Sequence, residues 1–206
     1  MKFIRVIKSS LPNENSLGEP ISNDPQVLQK FWNWFKGSKV VDEQGRPLVV
    51  YHGTKSEFNV FDTEYVFTTN DKNTSDRYGN SLALYISIKN PYIIEANNAM
   101  WNAVKIPEDI LTQFEYHINN LQDYIYTENE LEEYGDDIDI LPIREIVEII
   151  VNNRDIFNCD GIIVKDIQED EGIVDDYVVF SASQIKSISN NTNYNIEDNS
   201  IYGGKQ

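Results

Sequence analysis

Cysteine and histidine are nearly absent: one Cys, at position 159, and two His in 206 residues. A lone thiol closes no internal disulfide and says nothing of redox compartment, and one Cys with two His falls short of the usual structural zinc sets. Bases are scarce as well, with 17 Lys and Arg against 34 Asp and Glu for a formal charge of −17. Such a surface repels phosphate backbones and anionic membranes, so bulk nucleic-acid binding is not expected, although a small local basic pocket is still allowed. No apolar run reaches the length of a membrane span. The opening MKFIRVIKSS has neither a long apolar stretch nor a small-residue cleavage site, so synthesis in the cytoplasm without a signal peptide is expected, with later delivery elsewhere left open. A Walker loop, a G-x-G-x-x-G after a strand, a G-x-S-x-G elbow and an H-E-x-x-H helix are all missing. Function must therefore rest on dispersed residues.

What the chain does have is enough apolar material for a core: hydrophobic residues make up 40% and aromatics 12%. SSLPNENSLGEPISND, with its prolines and polar turn formers, reads as an arm, and residues 1–24 are assigned to an N-terminal arm or linker that includes a possible short strand over 1–8. In DPQVLQKFWNWFKG, Asp24 is placed as N-cap, Pro25 at the first helical position and Gly37 as the stop, and Val27, Leu28, Phe31, Trp34 and Phe35 share one face. KVVDEQGRPLVVYHG gives two strand-like segments about a turn, EYVFTT a strand, NDKNTSDRYG a capped helical turn or two, and LALYISI a strand. DGIIVKDI, DDYVVFS and QIKSIS are three later β-branched runs. Helices early and mid-chain with strands at both ends suit an α+β fold, not alternating βαβ units.

From Ile106 to Ile143 there are 11 acidic residues and no base, whereas the rest of the chain carries a net charge of only −6. Its periodic Leu, Ile, Phe and Tyr predict a helical acidic insertion, about 106–155, with a solvated face or a partner-binding surface as the two readings. The tail 189–206 is Asn-rich and reads as flexible. The ordered body is then one domain over 25–188.

The strand PLVVYHG places His52 and Val50 on one face and Tyr51 and Val49 on the other. By itself His52 reads first as a hydrogen-bonded structural histidine and only second as a catalytic one. Its neighbours alter that reading. The run FWNWFKGSKVVDEQGRPLVVYHGTKSEFNVFD, followed in order by YVFTT, TSDRY, LYISIKNPYIIEANNAMWN, DGIIVKD and DYVVFSASQIKSI, resembles the ADP-ribosyltransferase domains of phage polyvalent proteins and bacterial toxin-like proteins. These belong to the class shared with diphtheria toxin and the poly-ADP-ribose polymerases, marked by His, Tyr and Glu on separate elements. The likeness covers most of 25–188 outside the acidic segment.

The resemblance implies two antiparallel β-sheets forming an NAD cleft, with NAD as co-substrate and no metal. His52 would bond the ribose beside nicotinamide, Gly53 would let its backbone reach the carboxamide, and Thr54 holds the family's small hydroxyl. Ser75 and Tyr78 match the family's serine and tyrosine at the same spacing, the serine on the carboxamide and the tyrosine stacked on the ring. Tyr65 or Phe67 would supply the opposite wall. Where the family has its glutamate this chain has Asp176, beside Asp175, and alternation allows only one of them to share a face with His52; Glu169 and Glu171 are nearby substitutes. Catalytic positions are thus His52, Tyr78 and Asp176. The implied activity is mono-ADP-ribosyl transfer from NAD to an acceptor, a host protein in a phage or toxin-like setting. An NAD glycohydrolase, or a non-catalytic NAD-binding or virion-associated module, are the alternatives that the shorter aspartate leaves open.

Overall fold

In the computed structural model, residues 11–127, 139–170, 172–190 and 194–203 are described. The elements in chain order are α1 (Pro25–Phe35), β1 (Val50–Thr54), β2 (Val66–Thr69), α2 (Lys72–Asp76), β3 (Asn80–Ile86), β4 (Pro91–Glu95), β5 (Val104–Lys105), α3 (Glu108–Ile125), β6 (Ile140–Leu141), α4 (Ile143–Asn152), α5 (Arg154–Phe157), β7 (Gly161–Glu169), β8 (Gly172–Val179) and β9 (Ile185–Ser187). They fall into two units, residues 1–89 with 179–206, and residues 90–178. The possible strand over 1–8 lies outside the described residues. Among those described, no helix is long and apolar enough to cross a membrane.

In the first unit, α1 begins where Asp24 accepts a hydrogen bond from the Gln26 amide at 2.7 Å and Pro25 has no amide to satisfy. Its apolar face buries Val27, Phe31, Trp34 and Phe35. Phe31 is fully buried, with the rings of Phe35, Tyr85 and Tyr194 centred 5.2, 5.1 and 5.1 Å away. Beside this aromatic core the strands run in the order β2-β1-β3-β9, all antiparallel, with Tyr51 opposite Thr69, His52 opposite Leu82 and Leu84 opposite Ser187.

Both ends of the chain depart from the sequence reading. The described part of the supposed arm, residues 11–24, is built into the core: Asn15 is buried, its Oδ1 accepts from the Leu17 and Glu19 amides, and its Nδ2 donates to Tyr85 Oη at 2.9 Å. Ile21 is buried as well. The tail expected to be flexible inserts Tyr194 against Phe31 and buries Ile201 completely. Polar turn formers and asparagines lack a period to read, but here they satisfy backbone groups while a few apolar residues between them anchor the segment.

The second unit corrects the expectation of purely antiparallel sheets. β4 pairs in parallel with β7, Pro91 opposite Gly161 through Glu95 opposite Lys165, and β8 lies on the other side of β7. A parallel pair needs a long crossover, which residues 96–160 provide. The acidic segment leaves and returns at one place, since β5 and β6 pair antiparallel and the Ile106 amide donates to the Asp139 carbonyl at 2.7 Å. Its described part includes α3, which buries Ile110, Ile118 and Gln122; residues 128–138 lie outside the description. α4 is far more apolar and buries Ile143, Ile146, Val147, Ile149, Ile150 and Val151.

Candidate active site

A cavity of about 500 Å³ opens beside β1, lined by His52 and Thr54, by Ser56, Phe58, Val60, Phe61, Asp62 and Thr63 of the following loop, and by Tyr65, Val66 and Phe67 at β2. That is within the size range of small-molecule sites, and aromatic walls with a few polar groups are their usual composition. Alternation along β1 accounts for the pair His52 and Thr54 on this face. Tyr65 and Phe67 meet edge to face, centroids 5.8 Å apart, and Phe58 and Phe61 do likewise at 4.6 Å.

His52 is held on two sides. Its Nδ1 lies 2.8 Å from the Phe67 carbonyl oxygen, and its ring meets Phe61 edge-on with centroids 5.0 Å apart. A carbonyl only accepts, so Nδ1 carries the proton and Nε2 is left as the acceptor of the neutral ring. Burial pushes the imidazole pKa below its ordinary value, with the Phe67 carbonyl opposing in part. At neutral pH the residue is therefore an uncharged hydrogen-bond acceptor in the cavity wall. Thr54 closes a small turn instead, its Oγ1 accepting from the Ser56 amide at 3.1 Å.

Gly53, between them, faces the other way. A Cβ built on it would lie 1.9 Å from the Ser75 carbonyl oxygen and 2.8 Å from Tyr78 Cβ, so no side chain fits. The close approach of α2 to β1 is thus a packing reason for the glycine that the sequence did not reveal. α2 is capped by Asp71, whose carboxylate accepts from the Thr74 amide at 2.7 Å, and its last turn continues to a bond from the Tyr78 amide to the Ser75 carbonyl at 3.0 Å. Ser75 is buried; its Oγ donates to the Lys72 carbonyl at 2.8 Å and also contacts Ser81 Oγ. Its hydroxyl therefore ties α2 to β3. Tyr78 is 57% exposed at the end of the same turn. The candidates of this unit are divided by β1: His52, Thr54, Tyr65 and Phe67 line the cavity, and Gly53, Ser75 and Tyr78 form the contact with α2.

In the other unit, the two aspartates of β8 are set apart by alternation. Asp175 pairs with Lys165 and accepts from the Asp166 amide at 3.1 Å, so it is engaged along β7. Asp176 is 4% exposed, an uncommon degree of burial for a carboxylate. Burial, followed by the charges of Asp175 and Asp176, raises the pKa of neighbouring Tyr177 above its ordinary value. Glu169 closes β7, and Glu171 lies outside the described residues.

The sequence reading passed over Phe58, Phe61 and Asp62, which build much of the cavity. They occur in SEFNVFD, where the spacing of two aromatics directly after the His-Gly-Thr strand end was the available signal. A loop has no period to confirm it.

No curated protein and no solved structure matches the chain. A family model does, described as ADP-ribosyltransferase in polyvalent proteins, over residues 42–194, about three quarters of the chain. The matched span takes in β1 with His52, the cavity loop, α2 and the β7–β8 pair, and the chain belongs to this ADP-ribosyltransferase family.

Proposed function

We propose that this protein is a mono-ADP-ribosyltransferase that cleaves the nicotinamide–ribose bond of NAD and passes ADP-ribose to a protein acceptor. The family, which works with NAD as co-substrate, supports the general activity. The observation that carries the reading to this chain is the state of His52. With Nδ1–H committed to the Phe67 carbonyl, the ring presents an uncharged acceptor, Nε2, in the cavity wall, the form able to receive a ribose hydroxyl proton in a hydrogen bond. The cavity also fits the flat, partly apolar half of a dinucleotide, with the edges and faces of Tyr65, Phe67, Phe58 and Phe61 around it.

In this reading His52 orients the ribose, and the aromatic walls hold the nicotinamide and keep water from it. Tyr78 adds an exposed ring, held beside β1 by the Gly53 and Ser75 contact. NAD supplies an activated glycosidic bond whose nicotinamide departs as a neutral ring. The charge left behind calls for a fixed carboxylate, the role assigned to Asp176. Overall acidity favours a protein or small-molecule acceptor over bulk nucleic acid, and the likeness to phage polyvalent and toxin-like proteins favours a host component.

Nicotinamide release from NAD tests the reading. The expected result is turnover by the wild type that drops about 100-fold in His52→Ala and in Asp176→Ala, the range for removing one preorganised polar group. Labelled NAD with host lysate then separates transfer, which labels protein, from glycohydrolysis, which labels none. NAD binding with no turnover in any acceptor mixture would instead establish a binding module, the outcome that a carboxylate shorter by one methylene than the family's glutamate favours.

A further inference from the structure

The loop that carries Phe58, Phe61 and Asp62 along the cavity is tied to a distant part of the chain through one residue. Asn59 accepts twice: its backbone carbonyl from the Ile201 amide at 2.9 Å, and its Oδ1 from Ser200 Oγ at 2.7 Å, a contact spanning 141 residues. The other bonds of this loop among the described residues are local, such as Ser56 to Thr54 and Thr63 Oγ1 to the Tyr65 carbonyl at 3.0 Å.

The segment on the far side of these contacts is itself anchored. The Ser187 amide on β9 donates to the Ile201 carbonyl at 2.8 Å, so Ile201 bridges the sheet edge and the loop with its two backbone groups. Lys186, fully buried, donates from Nζ to the Ser200 carbonyl at 2.8 Å and to the Asp198 carbonyl. Burying an ammonium is costly unless it is hydrogen-bonded, and here two tail carbonyls receive it. The Ile201 side chain is fully buried, and Tyr194 packs in the aromatic core.

Asn59 lies between Phe58 and Val60, which both line the cavity, so a shift at Asn59 displaces the aromatic wall that also sets the His52 ring through Phe61. We infer that residues 198–201, held by Lys186, are a brace that sets the aromatic wall of the His52 cavity, with Asn59 as the positioning residue through which it acts. The brace deepens the NAD reading and rests on it only for its effect on ligand binding.

The test uses the full chain and the variants Ser200→Ala, Asn59→Ala and Ser200→Thr, read by hydrogen exchange at the Ile201 amide, which donates to the Asn59 carbonyl, and by NAD titration. Loss of the Ser200–Asn59 bond should raise exchange roughly fivefold at the Ile201 amide, the factor carried by one ordinary hydrogen bond. Threonine, which keeps the hydroxyl, should restore protection. Asn195→Ala, in the same segment but bonded to the Glu197 amide, should leave the loop unchanged. NAD binding should weaken several-fold in Ser200→Ala and Asn59→Ala, and in an active enzyme KM should rise while kcat stays within about twofold. Wild-type exchange at the Ile201 amide in both alanine variants overturns the brace. A wild type that does not bind NAD removes the NAD reading instead, and the exchange result still decides the brace.

Discussion

The two sides of β1 are held in different ways. Toward α2 the chain is packed backbone to backbone: the Ser75 carbonyl occupies the space of a Gly53 side chain, and Asp71 caps the turn that carries it. Toward the cavity, the wall of Phe58 and Phe61 depends on side-chain edges and on two hydrogen bonds at Asn59 from a segment near the C-terminus. Close backbone packing gives way only at large cost, whereas a loop on a few hydrogen bonds moves for a fraction of that. His52 stands at the boundary, with its strand fixed from behind and its ring oriented by the Phe67 carbonyl and Phe61 in front. A site that must admit a ligand gains from a rigid anchor on one side and an adjustable wall on the other.

Substitutions can break this contrast at graded cost. The largest effect is expected from Tyr194→Ala, which removes a buried ring from the Phe31 cluster and with it the root of the brace; a loss of about 3–5 kcal/mol in urea unfolding is expected, far beyond what a loose tail would show. Gly53→Ala comes next. At an open site the exchange of Gly for Ala stabilises slightly, but here the new methyl meets backbone, and a loss of about 3 kcal/mol is expected, at the upper end for overpacking. A gain in the unfolding midpoint would show that α2 is free to withdraw and that the rear side is not rigid.

His52→Gln should leave stability nearly unchanged while slowing nicotinamide release about 100-fold. Its pH behaviour sharpens the point. The imidazole pKa is depressed in the fold, so the unfolded chain binds the proton more readily, and the stability contributed by the neutral ring is complete above the unfolded value of about 6.5. It is lost as pH falls toward the lower folded value, and Nε2 then stops accepting. NAD binding should therefore weaken on acidification below that window in the wild type, and His52→Gln should flatten the curve; Asp62 and Tyr65 are the other titratable groups lining the cavity. The smallest effect on stability belongs to Tyr78→Ala, within about 0.5 kcal/mol for so exposed a ring, and only a ligand titration is expected to register its loss.

How much of this was legible in the chain varies with the range of the contacts. The start of α1 follows from Asp24 and Pro25, the cap of α2 from Asp71, and the shared face of His52 and Thr54 from strand alternation; each is decided by residues a few positions apart. The division of Asp175 from Asp176 on β8 follows from the same rule. The parallel β4–β7 pair, the buried roles of Asn15 and Tyr194, and the cavity loop were not legible, because each depends on partners many residues away and composition reports none of them.

The amino-acid sequence by itself determined where the elements start and stop and which side chains share a strand face, since capping and alternation act between near neighbours. It also carried the ordered set of motifs by which the family is known. Tertiary structure alone decided that Gly53 must lack a side chain, that His52 carries its proton on Nδ1, and that a lysine in β9 and a serine near the end of the chain hold the loop beside the cavity. Those outcomes depend on which atoms the folded chain brings within hydrogen-bonding or van der Waals distance, and no local pattern specifies that.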